Sequence, residues 1–241
     1  MKPTNLLLLL FLAIPCGLAV SAPIDMAKFS APVRVACIGD SITQGSGTSS
    51  GFSYPNQLQR LLGKHWEVGN FGVCSCTVLR KGDFPYWNEG ALMNAQKFQP
   101  DVVIILLGAN DTKPQNWRYN GEFSKDYTDL VQIVRAWTNQ PVVFVCRPTP
   151  APGAGNYGIN EAAIEKEIAL IDRIANQLKL GVIDMHAALD KKPQLLPDRV
   201  HPDNDGAGEM AKAAFRGLTG KEPDVAVMSK DTKLETHAGA R

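Results

Sequence analysis

No charge of either sign dominates this sequence: 25 Lys and Arg stand against 24 Asp and Glu, a formal net charge of +1 over 241 residues. A chain so balanced offers no basic stripe for nucleic acid and no acidic tail, and a neutral small substrate suits it at least as well as a polyanion. Cysteine is scarce as well, with five in the chain. Cys37 and Cys146 fall in apolar runs, where a thiol behaves as a small hydrophobe, while Cys74 and Cys76 are too close in sequence for an ordinary bridge. No Cys and His cluster has zinc spacing, so neither a metal nor a cofactor is expected. There are only four histidines, which leaves few candidates for a general base.

At 44% hydrophobic and 20% charged residues, the chain has the length and composition of one sizeable domain. Residues 1–22, "MKPTNLLLLLFLAIPCGLAVSA", place a Lys before an apolar run from Leu6 to Ile14 and small residues after it. That order predicts a secretory signal peptide cleaved near Ser21 or Ala22, with an apolar run too short for a membrane span. Pro15 directly before Cys16 fits a lipoprotein signal poorly. The expected product is a secreted or periplasmic protein with a domain over 23–220. From residue 221 on, few large apolar residues and no usable period predict a mobile tail.

Short β-rich runs recur at 33–38, 66–71, 101–107, 141–146 and 181–185, and segments with helical character lie between them. This alternation predicts an α/β fold with a five-stranded parallel sheet covered by helices on both faces. The third run, "DVVIILL", is apolar without alternation and belongs at the centre. The clearest helix carries Ile164, Ile168, Ile171, Ala175 and Leu178 at three- and four-residue spacing, with Asn160 to cap its start and Gly181 its end. Further helices fit 54–62, 90–98, 124–137 and 206–217. In such a sheet, ligands bind beyond the carboxyl ends of the strands. "GDSIT", "GVCSCT", "GAND" and "PDRVHPD" all fall beyond such ends.

Within these loops, Ser41 has a hydroxyl that is a weak nucleophile unless a base takes its proton. Serine in a turn is ordinary, so Ser41 alone says little. His201 is the candidate base, because Asp198 three residues earlier can reach one imidazole nitrogen and leave the other facing a hydroxyl. The same residues also build a plain surface turn. Asn110 ends the third strand with a carboxamide able to donate to an oxyanion, although Asn after a strand is also common turn chemistry. The joint occurrence of these residues in converging loops favours acyl transfer. Asp40 and Asp111 read as loop ties that accept backbone hydrogen bonds. Tyr86, Trp87 and Trp117 are placed near the mouth, where they would either stack on sugar rings or pack the loops.

"GDSIT", "NFGVCSCT", "GAND" and "DRVH" resemble, in order and spacing, the four sequence blocks of the SGNH hydrolases, also called GDSL esterases. The resemblance runs from about residue 33 to 218. "YPNQLQRLLG", "GDFPYWN" and "DTKPQNW" are similar to the sialate O-acetylesterase-like branch of that family. It implies a three-layer, doubly wound, flavodoxin-like fold. It also implies Ser41 as nucleophile, His201 as general base and then acid, and Asp198 as the group that fixes the imidazole. The oxyanion donors would be the Ser41 and Ser75 amides and the Asn110 side chain. The second block departs from the family, because Ser75 stands where a glycine is usual. Its amide still donates, but a positive φ would strain it, and Gly72 is an alternative donor.

The activity so implied is removal of O-acetyl or other short acyl groups from small or polysaccharide esters. A lysophospholipase or thioesterase acting on longer chains is the competing enzyme, and a carbohydrate-binding module without turnover is the alternative of another class. The expected partners are ester substrates, with no nucleic acid and no membrane insertion once the signal is removed. Because His201 must be neutral to act, activity should fall as pH drops through about 6 to 7.

Overall fold

A computed structural model describes residues 23–30 and 32–224; the expected signal peptide and the tail beyond 224 lie outside the described residues. The elements run β1 (Val33–Gly39), α1 (Ser41–Gln44), α2 (Tyr54–Leu62), β2 (Trp66–Gly72), α3 (Gly90–Lys97), β3 (Val102–Leu106), α4 (Pro114–Trp117) and α5 (Asn120–Arg135). They continue through β4 (Val142–Arg147), α6 (Glu161–Leu178), β5 (Gly181–Asp184), α7 (Met185–Leu189) and α8 (Asn204–Thr219). All five strands are parallel, in the order β2-β1-β3-β4-β5. The expected run "DVVIILL" is therefore the central strand, and every residue of β3 is buried.

Alternation along the strands divides the interior into two layers. Ala36 and Ile38 of β1, Val103 and Ile105 of β3, and Val143 and Val145 of β4 pack against Phe123, Tyr127 and Val131 of α5 and Ile171 and Ile174 of α6. The intervening residues Val35, Cys37, Ile104, Leu106, Phe144 and Cys146 face the other way. They meet Tyr54 and Leu58 of α2, Met185 of α7, and Met210, Ala211 and Ala214 of α8. The sheet is thus covered on both faces, which explains why its inner strands read as unbroken apolar runs.

One expected helix end is corrected. Asn160 does cap α6, accepting from the Ala163 amide at 3.1 Å, but Gly181 is not the C-cap. Lys179 takes the left-handed conformation instead, with φ 53°, and Gly181 opens β5. The connection is too short for the glycine to serve both roles.

Because the strands are parallel, the loops after all five emerge at one edge. The chain leaves β1 for β2 on one side and reaches β3 on the other, so the carboxyl ends of β1 and β3 form the topological switch point where an open sheet leaves a crevice.

Candidate active site

A cleft of about 220 Å³ opens at that switch point, with Ser41, Ser75, Asn110, Lys113, Tyr157 and His201 among the residues lining it. Gly39 ends β1 where a Cβ would collide with the Thr43 side chain and the Leu106 carbonyl, so only glycine lets the chain turn this tightly. Asp40 follows as the N-cap of α1, its Oδ1 accepting from the Ile42 amide at 2.9 Å. Ser41 is thereby fixed at the first position of α1 and is 6% exposed. Asn70 steadies the same turn from β2, its Nδ2 donating to the Thr43 carbonyl at 2.8 Å.

Ser41 Oγ lies 2.9 Å from His201 Nε2, and His201 Nδ1 lies 2.7 Å from Asp198 Oδ2. A carboxylate can only accept, so Nδ1 carries the proton and Nε2 is left to face the hydroxyl. Asp198 Oδ1 accepts from the amides of Val200 at 3.0 Å and His201 at 2.7 Å, which binds the turn to its own carboxylate. Partial burial works against the charge of Asp198. The hydrogen bonds from the His201 side chain and from the two amides outweigh it and hold the carboxyl below its ordinary value. The acid and the imidazole are therefore a polarised pair and not merely a surface turn.

Asn110 sits just beyond β3 and is 4% exposed. Its Nδ2 donates to Asp40 Oδ2 at 3.1 Å and to the Cys76 carbonyl at 3.2 Å, so the carboxamide links all three loops at the cleft wall. Gly108 precedes it with φ 132°, and a Cβ there would run into the Glu167 carboxyl. Asp111 accepts from Val78 at 3.0 Å and Leu79 at 2.7 Å, tying the β3 loop to the chain just past Ser75. Asp40 and Asp111 are thus the loop ties their sequence context suggests.

Burial governs the charge of this understructure. It pushes Asp40 up to about 6, against the pull of the Ile42 amide and of the His201 and Lys113 charges. It pushes Asp111 up to about 7, against the Leu79 and Val78 amides and with added repulsion from Asp40. Glu167, with no hydrogen-bond partner on either oxygen among the described residues, is driven well above its ordinary value by burial and by Asp111 and Asp40. Among the described residues, no group of three or more His, Cys, Asp or Glu is placed to hold a metal ion, and all four cysteines are free.

In the second block, Cys74 and Ser75 reach the cleft wall, whereas the Gly72 amide donates to Asn70 Oδ1 at 3.0 Å. Ser75 has φ 66°, the left-handed conformation that serine adopts only with strain. The serine thus holds a backbone conformation that glycine adopts without strain.

The aromatic residues are redistributed. Tyr86 is fully buried and donates to the Phe71 carbonyl at 2.6 Å; Trp87 donates to the Val78 carbonyl at 2.6 Å beneath the Arg80 guanidinium. Trp117 packs against Phe123 at a tilt, with ring centroids 6.0 Å apart. All three are packing residues, and none lines the cleft. The aromatic residue that does is Tyr157, in the loop after β4, a loop that showed no chemical motif in sequence. Its hydroxyl is 3.2 Å from Asp198 Oδ2. The only sequence signal is its setting, a large aromatic between glycines in "GAGNYG".

Comparison with known proteins places the chain in a family. The sequence profile of the GDSL-like Lipase/Acylhydrolase family matches residues 37–208. An acetylxylan esterase from Xylanibacter ruminicola is 40% identical over 201 residues, which cover 75% of this chain and 42% of that protein. The match thus spans less than half the relative's length. A carbohydrate acetylesterase from Sinorhizobium meliloti has a similar structure, with a TM-score of 0.64 at 20% identity, covering 77% of this chain and 97% of that one. The inhibitor-bound aryl esterase of M. smegmatis gives a TM-score of 0.62 at 20% identity over the same shares, 77% and 97%. These two show a shared fold. With a profile match over most of its length and a relative at this identity, the chain belongs to the GDSL-like lipase/acylhydrolase family.

Proposed function

We propose that the protein is an exported carboxylic ester hydrolase that removes acetyl or similarly short acyl groups from carbohydrates through an acyl-enzyme on Ser41. The observation that carries this reading is the continuous chain Ser41 Oγ, His201 Nε2, His201 Nδ1, Asp198 Oδ2, with links of 2.9 and 2.7 Å, on the wall of a cleft that also holds Asn110 and Ser75. Ser41 Oγ attacks the ester carbon while His201 Nε2 takes its proton. The oxyanion that forms faces the amides of Ser41 and Ser75 and the Asn110 carboxamide. Asn110 already donates to Asp40 and Cys76, so it must share a hydrogen with the oxyanion or release an acceptor to it.

His201 then returns the proton to the departing sugar oxygen as the C–O bond breaks, leaving acyl-Ser41 and a free alcohol. Water, deprotonated by the same nitrogen, attacks the acyl carbon, and the second collapse releases the carboxylic acid and restores the Ser41 hydroxyl. Asp198, held ionised by its amide donors, stabilises the imidazolium in both halves.

A short acyl group is favoured by the cleft, whose 220 Å³ falls below the roughly 300 Å³ at which pockets for drug-sized ligands begin. The carbohydrate is favoured by the acetylxylan esterase relative. Export rests on the leader-like segment 1–22.

The test is a series of p-nitrophenyl esters from acetate to palmitate beside acetylated xylan, assayed with the wild type and Ser41→Ala. Release of p-nitrophenol that declines with acyl-chain length, release of acetate from the xylan, and a loss of at least about a thousandfold in the variant are expected. Undiminished turnover by Ser41→Ala, or a preference for long chains, would refute the reading in its mechanism or its substrate respectively.

A further inference from the structure

The loop between β4 and α6 does more than connect them. Tyr157 sits in it with φ 54° and is 56% exposed, although it is large and aromatic. A left-handed tyrosine costs roughly 1–2 kcal/mol, and an exposed ring recovers little of that through burial. Tyr157 and Gly158, at φ 54° and 82°, are the central pair of a tight turn closed by the reciprocal backbone hydrogen bonds of Asn156 and Ile159, a turn that needs positive φ at both positions. Asn, Asp or Gly fills such positions at least cost, so a tyrosine there directs attention to what its side chain touches.

It touches the acid–base pair. The hydroxyl donates to Asp198 Oδ2 at 3.2 Å, the same oxygen that holds His201 Nδ1, and the phenol ring lies 5.5 Å from the imidazole at 59°. Asn156, the preceding residue, donates from Nδ2 to the Asp198 carbonyl at 3.0 Å and accepts the Tyr157 amide at 2.8 Å. Across the cleft, Gly158 packs toward Pro114 and Lys113. The segment 153–158 therefore runs from the Asp198 wall to the wall after β3. Of the four donors to the Asp198 carboxylate among the described residues, three come from His201 and Val200, within the turn, and the fourth, the Tyr157 hydroxyl, comes from elsewhere in the chain.

We propose that Tyr157 is a positioning residue for the Asp198–His201 pair, its hydroxyl completing the carboxylate's acceptors and its ring limiting the tilt of the imidazole. The proposal rests on the esterase reading above. Asp198 on its own turn and Asp40 after β1 act on the imidazole, and Lys113 after β3 acts on Asp40 and lines the same cleft. A change of Tyr157 to Phe leaves all of them in place. The phenol hydrogen bond draws charge away from Asp198 Oδ2, so its loss makes the carboxylate a stronger partner for the imidazolium.

The experiment uses the full chain, with p-nitrophenyl acetate across pH, for wild type, Tyr157→Phe, Tyr157→Ala and Ser41→Ala. Tyr157→Phe should keep KM within about twofold, lower kcat about three- to tenfold, and move the acid limb of kcat/KM upward by about half a pH unit. Tyr157→Ala should lose further kcat with the same limb. In the Ser41→Ala background, Tyr157→Phe should displace the downfield proton resonance of His201 Nδ1, a readout that needs no turnover. An unmoved limb with an unmoved resonance would overturn the proposal, as would a loss of thermal stability with kcat unchanged. Full activity in Ser41→Ala would instead sink the esterase reading, and this inference with it.

Discussion

Replacing Ser75 by glycine should stabilise the protein without loss of activity, which is an unusual expectation for a residue on an active-site wall. Ser75 holds φ 66° in a loop pinned on both sides: the Val73 amide donates to the Gly39 carbonyl at 3.0 Å, and Val78 and Leu79 donate to Asp111. The loop cannot relax, so the left-handed cost of roughly 1–2 kcal/mol is retained in the native state. Glycine removes it but adds about 0.4–1 kcal/mol of freedom to the unfolded chain. The Ser75 hydroxyl makes only a 3.5 Å contact with Cys74 Sγ, so little else is lost. The net gain is about 0–1.6 kcal/mol, about 0.8 at mid-range, which raises Tm by about 2–3 °C for a domain of this size.

Differential scanning calorimetry measures that rise. A steady-state assay with p-nitrophenyl acetate should show kcat within about twofold, since the amide donor is unchanged. A fall in Tm would show that the strain argument is wrong. A fall in kcat of about a hundredfold would show that the serine hydroxyl, and not the amide, serves the oxyanion.

Asn110→Ala should lower kcat by about 100- to 1000-fold, measured on the same ester, because it removes the only side-chain donor assigned to the oxyanion. Asp111→Asn should cost about 1–3 kcal/mol in urea unfolding, since one of the two amides it accepts loses its partner. It should also flatten the pH dependence of stability. The folded value of Asp111, about 7, stands above its ordinary 3.8, so its contribution is complete below about 3.8 and is lost as pH rises through about 7. An unchanged slope between about pH 4 and 7, the interval in which this loss falls, would contradict that assignment.

The sheet was legible in the sequence because strands covered on both faces leave unbroken apolar runs, as Val102–Leu106 does, and α6 because Ile164, Ile171 and Ala175 keep the helical period. The helices α1, α4 and α7 were not, since four or five residues are too few to show a period. Asp198 and His201 could be paired because they stand three positions apart in one turn. Tyr157 could not, because its contact with Asp198 joins residues 41 positions apart, with α6, β5 and α7 between them, and Tyr157 itself stands in a Pro- and Gly-rich loop without pattern. Tyr86, Trp87 and Trp117 were placed near the cleft by their loops, but loop position does not say which way a ring points. Each found a buried or packed site with a partner.

The central claim is that Ser41 becomes covalently acylated. Incubation with a fluorophosphonate, followed by intact mass measurement and peptide mapping, tests it directly. The account predicts one adduct, on the peptide carrying Ser41, formed rapidly in the wild type and slowed by at least about a hundredfold in His201→Ala. Full esterase activity surviving without any adduct, or an adduct on another residue that abolishes activity, would contradict it.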